Sequence, residues 1–436
     1  MKAASNPGLN WYLLFVVSWF LHLPARVPVL GVFRIDLLLV IILAVIALSK
    51  KTDYDGPKTG TDKLLKILIA YSVLTIPFTE WPGSVIKAGL PNLIKAVVFY
   101  YFTVAFVRTE SDLRRFVFVF IVCQIMRVLE PLYLNLTQDY WGSGASMLGG
   151  SEFLDRLSGS PYDVVNPNGL AAVVCTVLPF LYFMQGLSWK HRLAFVALTP
   201  PLLYALMLTG SRSGLIALLI IFGAILVKSK KRMLLLACGI VAVGVGFSSL
   251  SPDMQDRYLS TFGKGGKNVG TAEERLEGLE GQFHVALRRP LFGHGLGTSA
   301  EANFHFNDSG PYAGLALAAH NLYLELAEEL GLVGLVIFVL LMRSIVSEFI
   351  GSQRERSGDQ EVGAFLPRFI DAMQVWIIMN IVFSFASYGL SSYDWYLFGG
   401  VSVVLERLRR YNAVQRPDEN TRTVRGGPSR TDAHQV

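Results

Sequence analysis

The chain has 436 residues, of which 52% are hydrophobic and only 17% charged, with a mean hydropathy of +0.44. A soluble domain of this size does not need that composition; repeated apolar runs of about 15–23 residues point to an all-α, polytopic membrane protein rather than a β-barrel, whose strands would be shorter and alternating. The net charge of +6 raises nucleic acid as a partner, but the basic residues gather at the ends of the apolar runs, which is the positive-inside pattern, so nucleic acid is excluded.

Taken in order, the apolar runs give about twelve spans: 10–24, 34–49, 64–79, 91–107, 114–134, 167–185, 193–209, 214–228, 233–249, 319–342, 369–389 and 393–407. The first has a weak basic start and no clear small-residue cleavage site, so a retained span is expected rather than a signal peptide. Lysine and arginine fill every even connection. Lys50, Lys51, Lys58 and Lys63 lie in the second, and Arg108, Arg114 and Arg115 in the fourth. Lys190 and Arg192 lie in the sixth; Lys228, Lys230, Lys231 and Arg232 in the eighth; Arg343, Arg354, Arg356 and Arg368 in the tenth. Even connections and both termini are therefore expected in the cytoplasm. Residues 1–414 read as one transmembrane unit with a long periplasmic loop at 250–318. The polar segment 415–436 reads as a disordered cytoplasmic tail. Cys123, Cys175 and Cys238 sit within apolar runs, and no disulfide is expected.

The chemistry concentrates on the outward connections. Arg156 precedes SGSPYDVVNPNG, where Asn166 stands as a helix cap before Pro167. Arg212 sits in GSRSG, a tight turn between two spans whose glycines the turn itself requires. In the long loop, Thr271 and Glu274 form a capping box. The helix they open carries Arg275, has apolar residues at Leu276, Leu279, Phe283 and Leu287, and runs past Arg288 and Arg289 to Pro290. Gly293, Gly295 and Gly297 follow, and then His320 and Asn321 open a new apolar helix bearing Glu325, Glu328 and Glu329. Ionisable groups at a membrane edge are costly unless used. Arginines there suit an anion and a histidine suits proton transfer, while the carboxylates either pair with the arginines or sit where the helix dipole favours them. A metal site at His294, His305 and His320 has no usual ligand spacing, so no metal and no cofactor is expected. GHGLG follows no strand and is not read as a nucleotide loop.

The run from Arg275 through PLFGHGLG to HNLYLELAEELGLVGL resembles the signature region of the O-antigen ligase and polymerase superfamily of bacterial envelope enzymes. GSRSG and RLSGSPYDVVNPNGLA resemble its two upstream motifs. The resemblance implies a GT-C-like membrane glycosyltransferase of the inner membrane with its site facing the periplasm. Such an enzyme takes a glycan from a polyprenyl pyrophosphate and passes it to lipid A-core, as a ligase, or to another repeat unit, as a polymerase. It implies that Arg212 and Arg275 bind pyrophosphate and that His320 is the base. Arg156, Arg288 and Asn321 complete the candidate substrate-binding set. Arg288 competes with Arg275 because the family's arginine usually precedes an aromatic, and Leu279 stands there instead. The rival class is a transporter or lipid flippase. That class predicts repeated halves and helices broken near mid-membrane; the sequence has no internal repeat, and its polar groups cluster on one side.

Overall fold

The computed structural model describes residues 7–49, 59–142, 155–259, 270–308, 313–356, 365–387 and 389–414. The tail at 415–436 and the middle of the fifth connection lie outside them, as does the side chain of Arg275. The described residues form helices and no strand. Twelve helices stand where twelve spans are expected: α1 Pro7–Leu21, α2 Ile35–Ser49, α3 Gly60–Leu74, α4 Leu90–Phe106, α5 Glu110–Gln138, α6 Pro167–Met184, α7 Trp189–Leu208, α8 Arg212–Lys228, α9 Arg232–Ser248, and, after the long loop, α13 Leu322–Arg356, α14 Phe365–Phe383 and α15 Tyr393–Val414. The loop itself contributes α10 Pro252–Leu259, α11 Gly270–Arg288 and α12 Ser299–Phe306. Six helices among the described residues are long and apolar enough to cross a bilayer: α4 with its lead-in from Pro82, α5, α6, α7, α13 and α14.

Helix α6 is the centre of the bundle, packed against α5, α7, α8 and α14. Its face Leu170, Ala171, Val174, Cys175 and Val177 is fully buried. A Cβ added at Gly214 would come within 2.6 Å of Ala171 Cβ, so glycine there lets α8 approach α6 closely.

The odd connections meet at one end. Arg26 in the first donates to Glu130 at 2.7 Å and reaches Ser160 in the fifth at 3.4 Å. Leu157 N–H donates to Leu208 O at 2.9 Å, tying the fifth to the seventh. Glu80 N–H donates to His294 O at 3.0 Å, tying the third to the ninth, and Leu322 N–H donates to Ser384 O at 2.8 Å, tying the ninth to the eleventh. Even connections make their own contacts, such as Lys228 to Asp371 at 2.5 Å and Arg407 to Val104 O at 3.0 Å. Alternating connections on opposite ends are what an antiparallel run of helices requires.

Helix α13 is broken. Gly331 takes φ +68°, which separates Leu322–Leu330 from the long apolar run after it. The PLFGHGLG loop fills the break. His294 N–H donates to Glu328 O at 2.7 Å, Gly295 N–H to Glu329 O at 3.0 Å, and Leu332 N–H to Pro290 O at 2.7 Å. Carbonyls freed by the break thus find donors, as a buried backbone demands. Gly293 has φ +69°, and a Cβ there would lie 2.4 Å from the Glu329 backbone. The glycines serve this close approach.

The structure decides which face of α11 packs: Phe283 and Leu287 are about half exposed, while Gln282, Val285 and Ala286 are buried. Small and mixed residues make the tighter contact here, and in a membrane protein an exposed apolar stripe has lipid as its solvent. The three glutamates of α13 accept from groups of neighbouring segments, as described next.

Candidate functional site

The fifth connection, the GSRSG turn and α10 converge on one spot. Gly210 adopts φ +55°, a conformation costly for other residues, and turns the chain from α7 into α8. Ser211 caps α8, its Oγ accepting from Gly214 N–H at 3.1 Å, and Arg212 is the first residue of that helix. Arg156 donates from Nε to Thr209 O at 2.8 Å and from a terminal nitrogen to Asn168 Oδ1 at 3.0 Å. Ser211 Oγ donates to the same Asn168 oxygen at 2.9 Å. Arg257 on α10 donates from Nε to Gly210 O at 2.8 Å, and Tyr258 donates to Met207 O at 3.0 Å. Burial pushes the Tyr258 phenol up to about 12, against the opposing pull of Arg156 and Arg257 close by. Three arginines, from 156, 212 and 257, therefore surround one turn, anchored in part by the carbonyls that end α7, where cations suit the helix dipole.

Asn166 is the cap that the sequence suggests, accepting from Gly169 N–H at 2.8 Å. Asn168, two residues on, is the one that orients Arg156. A cavity of about 220 Å³ is lined by Gly169, Ala172 and Thr176 of α6, Leu322 of α13, Asn380 and Ser384 of α14 and the residue after it, and Arg127 and Asp394. Leu322 follows the His320–Asn321 pair directly. His320 is exposed, ahead of the first turn of α13. Asn321 caps that turn, its Oδ1 accepting from Tyr323 N–H at 2.9 Å and Leu324 N–H at 3.2 Å. The cavity thus joins the start of α6, next to the arginine turn, to the start of α13, next to His320.

Arg288 is engaged elsewhere. It donates to Asp308 at 2.8 Å and lies over the Phe306 ring, linking α11 to α12. Arg289 pairs with Glu80 at 2.7 Å. Arg275 lies on the first half of α11, with its side chain outside the described residues. His294 and His305 both stack on Trp81, at 6.0 and 5.5 Å between ring centroids. Burial holds the His294 imidazole below its ordinary value, and its Nε2 meets Val285 O at 3.0 Å.

The carboxylates are knit into the fold. Glu325 Oε2 accepts from Gly389 N–H at 2.7 Å and Leu390 N–H at 3.1 Å. Glu328 accepts from Ser299 Oγ at 2.5 Å and from Asn303 at 3.1 Å, and Glu329 from Ser299 N–H at 3.4 Å. Sequence reasoning missed Arg257 and Arg127. Arg257 lies in a short polar helix with no motif around it, and Arg127 sits mid-run in α5, where a lone basic residue in an apolar stretch was the available signal.

Residues 193–339 match the family model described as O-antigen ligase. No curated protein matches the chain. The matched stretch contains Arg212, Arg257, Arg275, Arg288 and the His320–Asn321 pair, and leaves Arg156 and most of the cavity outside it.

Proposed function

This is a membrane protein of the O-antigen ligase and polymerase superfamily by its match over residues 193–339, and we propose that it transfers a glycan from a polyprenyl pyrophosphate to lipid A-core or to another glycan on the periplasmic face of the inner membrane. The convergence of Arg156, Arg212 and Arg257 on the 209–214 turn carries this reading. Pyrophosphate leaves with two phosphates' worth of negative charge, and fixed guanidinium groups stabilise that charge without reorganising at the moment of reaction.

The acceptor's hydroxyl oxygen attacks the anomeric carbon of the donor's first sugar. The bond from that carbon to the pyrophosphate oxygen breaks, and the electron pair leaves with the pyrophosphate. The hydroxyl proton passes to His320, which is exposed at the start of α13. A single displacement inverts the anomeric centre. Glu325, Glu328 and Glu329 are committed to protein donors, which argues against a covalent glycosyl intermediate on them. The reaction runs without a metal: turnover in chelator is the expected result, and loss of activity that zinc restores would reverse this.

Deleting the protein from its host and running an envelope polysaccharide gel tests the transfer. Core without added glycan marks a ligase, core with one repeat marks a polymerase, and an unchanged ladder removes the reading. Outside labelling of a cysteine placed at Asn268, and none at Ser357, tests the orientation.

A further inference from the structure

We propose that the 220 Å³ cavity between α5, α6, α14 and the start of α15 is the subsite for the terminal sugar of the acceptor, a proposal that rests on the transfer reaction above. Its lining sets polar groups among apolar walls from Val165, Val173, Met379 and Phe383, a mixture that suits the two faces of a sugar ring. Thr176, Asn380 and Ser384 face it from helices that otherwise bury apolar surface. Each spends a donor on a backbone carbonyl four residues back, Thr176 to Ala172 O at 3.0 Å, Asn380 to Trp376 O at 3.0 Å and Ser384 to Asn380 O at 2.7 Å, which leaves their oxygens as acceptors for a polar occupant. It is lined by a residue of each charge, Arg127 and Asp394. Arg127 donates to Asp163 at 2.6 and 3.2 Å and to Gln124 at 3.0 Å, and Gln124 donates to the Tyr393 hydroxyl at 3.2 Å. Arg127 is 8% exposed and fixed on two sides, and its guanidinium has more N–H groups than these bonds use. Across from it, Ser392 donates to Asp394 at 2.5 Å. A fixed donor and a fixed acceptor lining one cavity, with neutral polar groups beside them, suit hydroxyls rather than an anion.

Size and shape choose between the two sugars of the reaction. Pockets for drug-sized ligands run to about 300–1,000 Å³; this one suits a single ring and is half closed. The donor's first sugar has two continuations, the pyrophosphate and the rest of its glycan, and needs a site open at both ends. The sugar at the end of an acceptor has one. Gly169 at one wall adjoins Asn168 and the arginine turn, and Leu322 at another adjoins His320. A ring seated here would present a hydroxyl between the base and the donor.

The experiment uses purified full-length protein in nanodiscs, polyprenyl pyrophosphate-linked glycan as donor, and lipid A-core or a second lipid-linked repeat as acceptor. Ala172→Leu fills the cavity, and Asp394→Asn keeps its shape while removing the charge. With donor saturating, both variants raise the acceptor KM, the filling variant by about tenfold or more, the loss of roughly one sugar hydrogen bond or more. The donor KM stays at its wild-type value, and melting temperature checks that each variant is folded. A raised donor KM with an unchanged acceptor KM assigns the cavity to the donor and overturns the proposal. Unchanged kinetics in folded Ala172→Leu also overturn it. Wild-type protein that transfers nothing with either acceptor removes the functional reading itself, and the subsite with it.

Discussion

Glu328 accepts from Ser299 and Asn303 on α12, while Arg156 donates to Thr209 O and to the side-chain amide of Asn168. Both lie at the end of the bundle where the odd connections meet. The carboxylate clusters with Glu325 and Glu329, each of which receives backbone N–H groups from a neighbouring loop. Hydrogen-bond donors from elsewhere in the chain complete these buried acids, and the acids in turn fix where the loops lie. Arg156 and Arg257 are anchored along one edge by helix-end oxygens and gather beside Arg212. The difference separates two uses of charge at a membrane edge. In one, carboxylates accept from donors brought by other segments; in the other, guanidinium groups donate to the oxygens that end a helix, the cluster proposed above to meet the donor's pyrophosphate.

The sharpest way to break that comparison is His320→Ala, the variant outside both clusters. It slows glycan transfer by a factor on the order of 10²–10⁴ with donor binding and melting temperature near wild type. Near-normal transfer by folded protein would remove the base assignment and leave the arginine argument standing.

Glu328→Ala comes next. It strands the Ser299 hydroxyl and the Asn303 amide in a buried position, a cost of about 1–3 kcal/mol, read as lower yield and melting temperature in detergent. If this variant keeps its stability and loses transfer instead, the carboxylates belong to the chemistry rather than to the fold.

Arg212→Lys keeps the charge and loses the planar fork. The donor KM should rise by about tenfold with little change in melting temperature. Arg257→Lys should follow in the same direction; an unchanged donor KM there would confine Arg257 to holding the turn through Gly210.

The smallest effect is at His294, whose folded pKa burial lowers. Its neutral form is favoured by folding, so its contribution is complete above the ordinary value of 6.5 and is lost as pH falls through the folded value. Melting temperature should therefore drop on acidification below about pH 6.5, and His294→Phe, which keeps an aromatic against Trp81, should flatten that drop. An unchanged slope would place the acid sensitivity elsewhere.

Helix positions and their order were legible because apolar run length and flanking lysine and arginine are local properties of a chain in a bilayer. So were the turn at GSRSG, through its glycines, and the Asn166 cap. The break in α13 was not: Gly331 sits in an apolar run, and only the PLFGHGLG loop docking against Glu328–Leu332 supplies the donors that make the break tolerable. The outward face of α11 was hidden for a related reason. Helical periodicity shows that a stripe exists, but which stripe meets protein and which meets lipid depends on what packs against it.

The sequence by itself determined an all-helical membrane chain, the alternation of its connections, and the motifs carrying Arg156, Arg212, Arg275 and His320. Those follow from composition, periodicity and short-range chemistry. Only the tertiary structure decided that Arg257 stands beside Arg156, that Arg288 is engaged by Asp308, that loop donors hold the glutamates of α13, and that Arg127 and Asp394 share a cavity. Each of these is a pairing between residues distant in the chain, and partner choice at that range is set by how helices pack, which no local pattern encodes.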